Sequence, residues 1–250
     1  MNIYNSFDAV PCIRNAVLAL GTFDGMHLAH RYLVEKVCQD ATKNNGNSVV
    51  VSFFSHPRKT ISENFNHGAL ITQSEKVEIL SGIGLNNLIT MDFTTGISNM
   101  SYIDFIRLLK TKIDIQKIIL GYNHHFGKNR EGNYRTLLQL GEELHFNVEK
   151  IEKQVINGFD ISSSSIRYAL NCGDIETANK LLGYNYSIYI QTFYGKNEIF
   201  LTQNKLLPKN GRYIVKIDDY NFVLEIKYPL LLIDFKNNNG FYKVEFVKSE

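Results

Sequence analysis

The sequence predicts an α/β protein with a parallel sheet, followed by a small antiparallel β module, and three observations carry that prediction. Up to about Gly183, short β-rich runs alternate with helical patterns, the order that builds a parallel sheet with crossover helices. The first run, Ala16-Val17-Leu18-Ala19-Leu20, is apolar throughout, as expected of a buried strand. From Asn185 the pattern turns to alternation, in Tyr213-Ile214-Val215-Lys216-Ile217, Phe222-Val223-Leu224-Glu225-Ile226 and Tyr242-Lys243-Val244-Glu245-Phe246, with turn residues at Lys209-Asn210-Gly211 and Asn237-Asn238-Asn239-Gly240. The boundary is therefore expected near Gly183, giving domains 1–183 and 184–250.

In chain order, strands are expected at residues 17–22, 48–54, 87–91, 117–121 and 146–151. Between the first two, Leu33, Val34, Val37, Cys38 and Ala41 recur at helical spacing from His30 onward. A second helix is expected at 73–80, with Val77, Ile79 and Leu80 on its apolar face and Thr72 or Ser74 as its cap. Residues 101–110 present Ile103, Ile106 and Leu109, and 137–144 supplies a further amphipathic turn or two. Open α/β sheets bind ligands at the carboxyl ends of their strands. Three post-strand segments should thus face one crevice: the turn after the first strand, Ser55-His56-Pro57-Arg58 after the second, and Gly121-Tyr122-Asn123-His124-His125-Phe126-Gly127 after the fourth.

Composition narrows the partners. The 250 residues carry a formal net charge of +2 with cationic side chains spread along the chain, too weak a bias for a nucleic-acid footprint. No apolar run approaches the ~20 residues needed to span a bilayer, and the start Met1-Asn2-Ile3-Tyr4-Asn5 lacks a signal-peptide core. A cytoplasmic protein with no membrane partner is expected; the composition says nothing about protein partners. Three cysteines, Cys12, Cys38 and Cys172, form no C-x-x-C pair, so neither a disulfide framework nor a thiolate metal site is expected.

Chemistry concentrates in Gly21-Thr22-Phe23-Asp24-Gly25-Met26-His27-Leu28-Ala29-His30. A strand feeds a glycine turn that places His27 and His30 at a helix N-terminus, where free N–H groups and the helix dipole favour a phosphate. Residues three apart on a helix are neighbours, so both rings can reach one phosphate, through hydrogen bonds or partial positive charge. The stretch is neither G-x-x-x-x-G-K-[ST] nor G-x-G-x-x-G. In isolation it reads more simply as two solvated histidines beside a β–α turn. A second signal, Ile161-Ser162-Ser163-Ser164-Ser165-Ile166-Arg167, opens another helix with a capping serine and puts an arginine on the first turn. Alone it reads more simply as a serine-capped helix with a solvated arginine; with the histidines it can hold the several phosphates of a nucleotide. His124 and His125 read as exposed loop residues or, less readily, as metal ligands, and no Cys or carboxylate completes a ligand set.

These residues resemble the bacterial bifunctional riboflavin kinase/FAD synthetases, specifically their N-terminal adenylyltransferase module. Five ordered matches carry the resemblance through about Leu182: Gly21-Thr22-Phe23-Asp24-Gly25 with His27 and His30; residues 53–57; Leu70-Ile71-Thr72 with Glu75-Lys76; residues 121–127; and residues 161–167. The resemblance implies a Rossmann-like nucleotidyltransferase domain followed by a degenerate β-barrel. It implies that ATP is held by Gly21, Thr22, Phe23, Asp24, Gly25, His27, His30, Ser162, Ser163, Ser164 and Arg167, with His27, His30 and Arg167 as the catalytic set. The flavin would meet Asn123, His56 and Phe126. FMN would be the acceptor and FAD the product, with Mg²⁺ arriving on ATP and no dedicated metal cage.

Three departures from the family pattern stand out. Ala29 replaces the glycine between the histidines, Ser164 replaces a threonine, and Phe54-Ser55 stands where the family has an acidic residue and proline. In the C-terminal module, Leu207-Pro208-Lys209-Asn210-Gly211-Arg212-Tyr213 and Leu232-Ile233-Asp234-Phe235 are similar to fragments of the riboflavin-kinase barrel, yet that domain's Pro-Thr-x-Asn motif is missing. Loss of the kinase step is therefore expected. Two alternatives stay open from the residues: a nucleotidyltransferase with another phosphorylated acceptor, and a non-catalytic flavin- or nucleotide-binding protein.

Overall fold

The computed structural model describes residues 1–54, 68–156, 158–192, 200–201, 204–228, 230–233 and 239–250. The chain divides into two compact units, one of residues 1–66 and 73–153, the other of residues 67–72 and 154–250.

The first unit holds β1 (Asn2–Tyr4), β2 (Ile13–Leu20), α1 (Leu28–Lys43), β3 (Asn47–Phe53), α2 (Gln73–Ile83), β4 (Asn87–Met91), α3 (Thr95–Asn99), α4 (Tyr102–Lys110), β5 (Ile113–Leu120), α5 (Tyr134–Leu144) and β6 (Asn147–Lys150). Its strands form one sheet in the order β1-β4-β3-β2-β5-β6, with every pairing parallel. From β2 the chain moves through β3 and β4 in one direction, then returns to β5 and β6 on the other side. The order reverses at β2 and β5, so the crevice lies beyond their carboxyl ends. Burial follows the expected pattern: Ala16 through Leu20 are all at most 4% exposed, as covering both faces of a parallel sheet requires. The first strand stops at Leu20 rather than residue 22, because the backbone turns through left-handed conformations from Phe23.

Helix starts are chemically specified. Ser101 Oγ accepts the Asp104 N–H at 3.1 Å, and Asn133 with Thr136 forms a reciprocal capping box on α5. Helix α2 departs from its expected face: Glu75, Lys76 and Leu80 are buried, while Val77 and Ile79 are only half-buried. The reason is polar. Lys76 reaches inward to donate to Thr22 O at 2.8 Å and Ser52 Oγ at 3.2 Å.

The second unit contains a two-stranded ribbon, β7 (Val155–Ile156) with β8 (Phe159–Asp160), then α6 (Ser163–Cys172) and α7 (Ile175–Leu182). After them come β9 (Ser187–Thr192), β10 (Phe200–Leu201), β11 (Gly211–Ile217), β12 (Tyr220–Lys227), β13 (Leu230–Ile233) and β14 (Gly240–Ser249). These last strands form an antiparallel sheet in the order β10-β9-β14-β11-β12-β13. Packing divides the chain upstream of the expected Gly183 boundary. Ile166, Leu170, Leu181 and Leu182 on the two helices share one core with Ile188, Val215, Ile226 and Phe246 of the sheet. Gly183 instead ends α7 with φ 76°, the left-handed stop that glycine adopts freely.

Candidate active site

The turn after β2 is built by its neighbours. Gly21 N–H donates to Val51 O on β3 at 3.1 Å, and Met26 N–H closes onto Phe23 O at 3.3 Å. Phe23 and Met26 have φ of 49° and 37°, conformations that cost non-glycine residues energy and persist only when packing enforces them. Here it does, since Phe23 is 1% and Met26 0% exposed. The turn delivers His27 as the N-cap of α1, with Nδ1 accepting the His30 N–H at 3.3 Å. That bond uses the Nδ1 lone pair. In the neutral ring the proton therefore sits on Nε2, leaving one free donor.

His27 and His30 lie with ring centroids 3.6 Å apart and planes inclined by 15°. Two imidazolium charges at that distance would repel by about 5 kcal/mol at an effective dielectric of about 20. Burial drives His27 down to about 4, against a smaller upward pull from Asp24. Burial drives His30 well below its usual value too, reinforced by His27, Lys76 and His124. Both rings are thus neutral at pH 7. Of the two contributions the sequence left open, the site offers hydrogen bonds rather than standing positive charge. The His30 Nδ1 is buried and has no hydrogen-bond partner.

A cavity of about 400 Å³ opens beside this turn within the first unit, lined by Leu20, Gly21 and Thr22 after β2, Phe53 at the end of β3, and His124, His125, Phe126 and Gly127 after β5. Two of the three expected post-strand segments, those after β2 and β5, therefore face one crevice. His56 and the rest of residues 55–58 lie outside the described residues. Aromatic rings form much of the wall: Phe53 meets Phe93 edge-on at 5.1 Å, and Phe105 stands 6.1 Å from Phe126. The loop that carries Phe126 is fixed by paired backbone hydrogen bonds between Phe126 and Gly132, both 2.9 Å. Gly127, at φ 74°, passes so close to Tyr102 that a Cβ would sit 2.8 Å from its backbone nitrogen.

Sequence reasoning missed two polar groups here. His124, expected to be exposed, is half-buried and stacks near Phe126 at 5.7 Å, and its Nε2 is buried without a partner. Lys76 is 5% exposed, with burial lowering its ammonium to about 8 despite Asp24 nearby. Both lie in stretches that carry the family resemblance, yet no spacing gives either one a role. Only the tertiary fold puts both within electrostatic range of His30. Asn123 is exposed, next to them in the chain.

The serine–arginine signal belongs to the second unit. Ser162 is the N-cap of α6, its Oγ accepting the Ser165 N–H at 3.2 Å. Arg167 stands in the second turn of α6 rather than the first, and one N–H of its guanidinium donates to Gly68 O at 2.8 Å. Gly68 is pinned in turn. A Cβ there would lie 2.4 Å from the backbone of Leu206 and Lys205, and the adjoining Ala69 exchanges hydrogen bonds with Asn204 and Leu206. Among the described residues no group of three His, Cys, Asp or Glu side chains is arranged to hold a metal ion. No described helix is long and apolar enough to cross a membrane.

Comparison with known proteins agrees with these features. Residues 10–165 match the family model of FAD synthetase. A bifunctional riboflavin kinase/FMN adenylyltransferase of Buchnera aphidicola is 34% identical over 215 residues, covering 81% of this chain and 68% of that protein. A Listeria monocytogenes protein named FAD synthetase is 27% identical, covering 80% of each. A solved Streptococcus pneumoniae structure, described as a macrolide-efflux protein, superposes with a TM-score of 0.87 at 20% identity, covering 99% of this chain and 98% of that one. At that identity it speaks for the fold alone. With the cap histidines, the β2 turn and more than half of its length inside the family model, the chain belongs to the FAD synthetase family.

Proposed function

We propose that this family member acts in the cytoplasm, transferring AMP from ATP to FMN to form FAD and pyrophosphate. An oxygen of the FMN phosphate attacks the α-phosphorus of ATP. The bond to the bridging oxygen breaks, and its electron pair leaves on pyrophosphate. The acceptor is already anionic at neutral pH, so the reaction needs positioning and charge stabilisation rather than a strong base. The observation that carries this reading is the stacked, neutral His27–His30 pair capping α1 at the carboxyl end of β2.

In this reading His27 donates from Nε2 to an α-phosphate oxygen, and His30 offers its unpartnered nitrogen beside it. Gly21, Thr22, Phe23, Asp24 and Gly25 shape the backbone around the nucleotide. Ser162, Ser163, Ser164 and Arg167 take the pyrophosphate. The flavin ring lies against Phe126 and the aromatic wall, with Asn123 near the reacting phosphates and His56 on the flavin side. Imidazole nitrogens are poor ligands for Mg²⁺, which prefers oxygen donors, and the Lys76 ammonium suits phosphate oxygens. Mg²⁺ would therefore be held by ATP oxygens and water, where it offsets phosphate charge; no residue of this chain is assigned to it. Functionally, residues 1–183 would form the transferase module and 184–250 a module without kinase activity, since the Pro-Thr-x-Asn motif is missing from its sequence.

Purified protein given ATP, Mg²⁺ and FMN should yield FAD by chromatography, and riboflavin with ATP should yield neither FMN nor FAD. FMN binding with no FAD at high enzyme concentration would overturn the proposal in favour of a non-catalytic flavin binder.

A further inference from the structure

We infer that His124 holds the phosphate of the acceptor flavin and thereby sets the preference for FMN over riboflavin. The inference rests on the proposed FMN adenylyltransferase reading and assigns a residue that the sequence left as loop.

Among the described residues only two buried side-chain polar atoms lack a hydrogen-bond partner, His30 Nδ1 and His124 Nε2. A buried polar atom left unpaired is costly, and such atoms in native folds call for an explanation. His30 belongs to the nucleotide turn already described. His124 lines the cavity itself. Its ring is held near Phe126, with centroids 5.7 Å apart and planes inclined by 24°, and its backbone N–H is tied to Gly121 O at 3.2 Å. It is therefore placed by the fold, with a donor or acceptor site unused.

The surroundings decide what it takes. Burial holds His124 down at about 4, and His125 and Arg130 push it further in the same direction. Lys76 and His124 in turn both act on His30. The neutral ring thus sits among groups of positive or potentially positive charge, which favour an anion and disfavour a second cation. The same cavity is lined by Phe53, Phe93, Phe105 and Phe126, with neighbouring centroids 5.1 to 6.5 Å apart. A cavity aromatic along one side and anion-seeking at His124 matches a planar heteroaromatic ring that carries a phosphate. The polar edge of the flavin ring is uncharged and gains less from the Lys76 and Arg130 cations than a full anion does. The phosphate dianion gains from each of them, and His124 Nε2–H supplies a charge-assisted hydrogen bond to it.

The test is flavin binding by fluorescence titration, without ATP, on wild type, His124→Phe and His124→Gln, with thermal melts for each. Phenylalanine keeps the ring near Phe126 and deletes the nitrogen; glutamine restores an N–H at similar reach. Wild type should bind FMN more tightly than riboflavin. His124→Phe should weaken FMN by roughly 10-fold or more while leaving riboflavin within about 2-fold, and His124→Gln should recover part of the loss. If His124→Phe does not fold, His124→Asn, too short to reach, carries the same comparison. Equal weakening of FMN and riboflavin would show that His124 touches the ring, and unchanged FMN binding would show that it touches neither. Either result overturns the inference. A wild type that discriminates FMN from riboflavin through His124 yet makes no FAD would sink the transferase reading and leave this inference standing.

Discussion

His27 carries two roles in one ring: Nδ1 caps α1 and Nε2–H is left for substrate. The roles can be separated, because asparagine is a good N-cap but has no imidazole. His27→Asn should keep its melting temperature close to wild type while its rate of FAD formation falls by roughly 10²-fold, the scale of losing a transition-state donor. His27→Ala should lose the same rate and, in addition, about 1 kcal/mol of stability from the missing cap. Initial rates and melts on both variants check this, and a His27→Asn enzyme of normal rate would remove the donor role. Lys76 shows a related economy at this scale. Its two hydrogen bonds tie the β2 turn to β3, and its lowered ammonium keeps positive potential near His30. Ala29 lies in the first turn of α1 and is half-buried; nothing in the structure explains why it replaces the family's glycine.

At the scale of elements, function depends on how turns are fixed. The β2 turn holds two non-glycine residues at positive φ because Phe23 and Met26 are sunk into the core. In the second unit the corresponding device is the short stretch beginning at Gly68. Its carbonyl orients Arg167, and the adjoining backbone is bridged to Lys205. Gly68→Ala places a methyl group against backbone that cannot rotate away. Overpacking of that kind costs about 1–3 kcal/mol, and the displaced carbonyl no longer aligns the guanidinium. The expected result is a lower melting temperature together with a KM for ATP raised by roughly 10-fold and a smaller change in KM for FMN. A destabilised variant with an unchanged KM for ATP would separate the anchor from nucleotide binding.

For the whole molecule, the buried neutral histidines make stability depend on pH. His27 and His124 are lowered to about 4 and His30 is lowered well below its usual value, in each case mainly by burial. Between their unfolded value of about 6.5 and these folded values the unfolded chain binds more protons, so stability falls as pH drops through that window. For His27, which is 4% exposed, the shift corresponds to a loss on the order of 3 kcal/mol by pH 4. Lys76, lowered to about 8, acts with the same sign at the alkaline end: stability rises with pH between about 8 and its unfolded value near 10.5. Melting temperatures measured from pH 6.5 to 4 should fall more steeply for wild type than for His27→Asn. Parallel profiles would show that His27 is not buried neutral in the folded protein.

The sequence by itself determined the parallel-then-antiparallel order of the strands, since continuous apolar runs and strict alternation each fit one kind of sheet. It also marked the cap histidines and the serine-capped α6, because capping and glycine turns are local chemistry with local spacing. The tertiary structure decided what no spacing encodes. It grouped α6 and α7 with the antiparallel sheet, as their apolar faces are buried there. It turned Lys76 inward against the apolar periodicity of α2, because Thr22 O and Ser52 Oγ wait for it. It brought His124, far along the chain, within electrostatic range of His30 and left both with a buried nitrogen unpaired. Parallel pairing of β2 with β5 joins residues distant in sequence, so the loops that follow the two strands meet only once the sheet has formed.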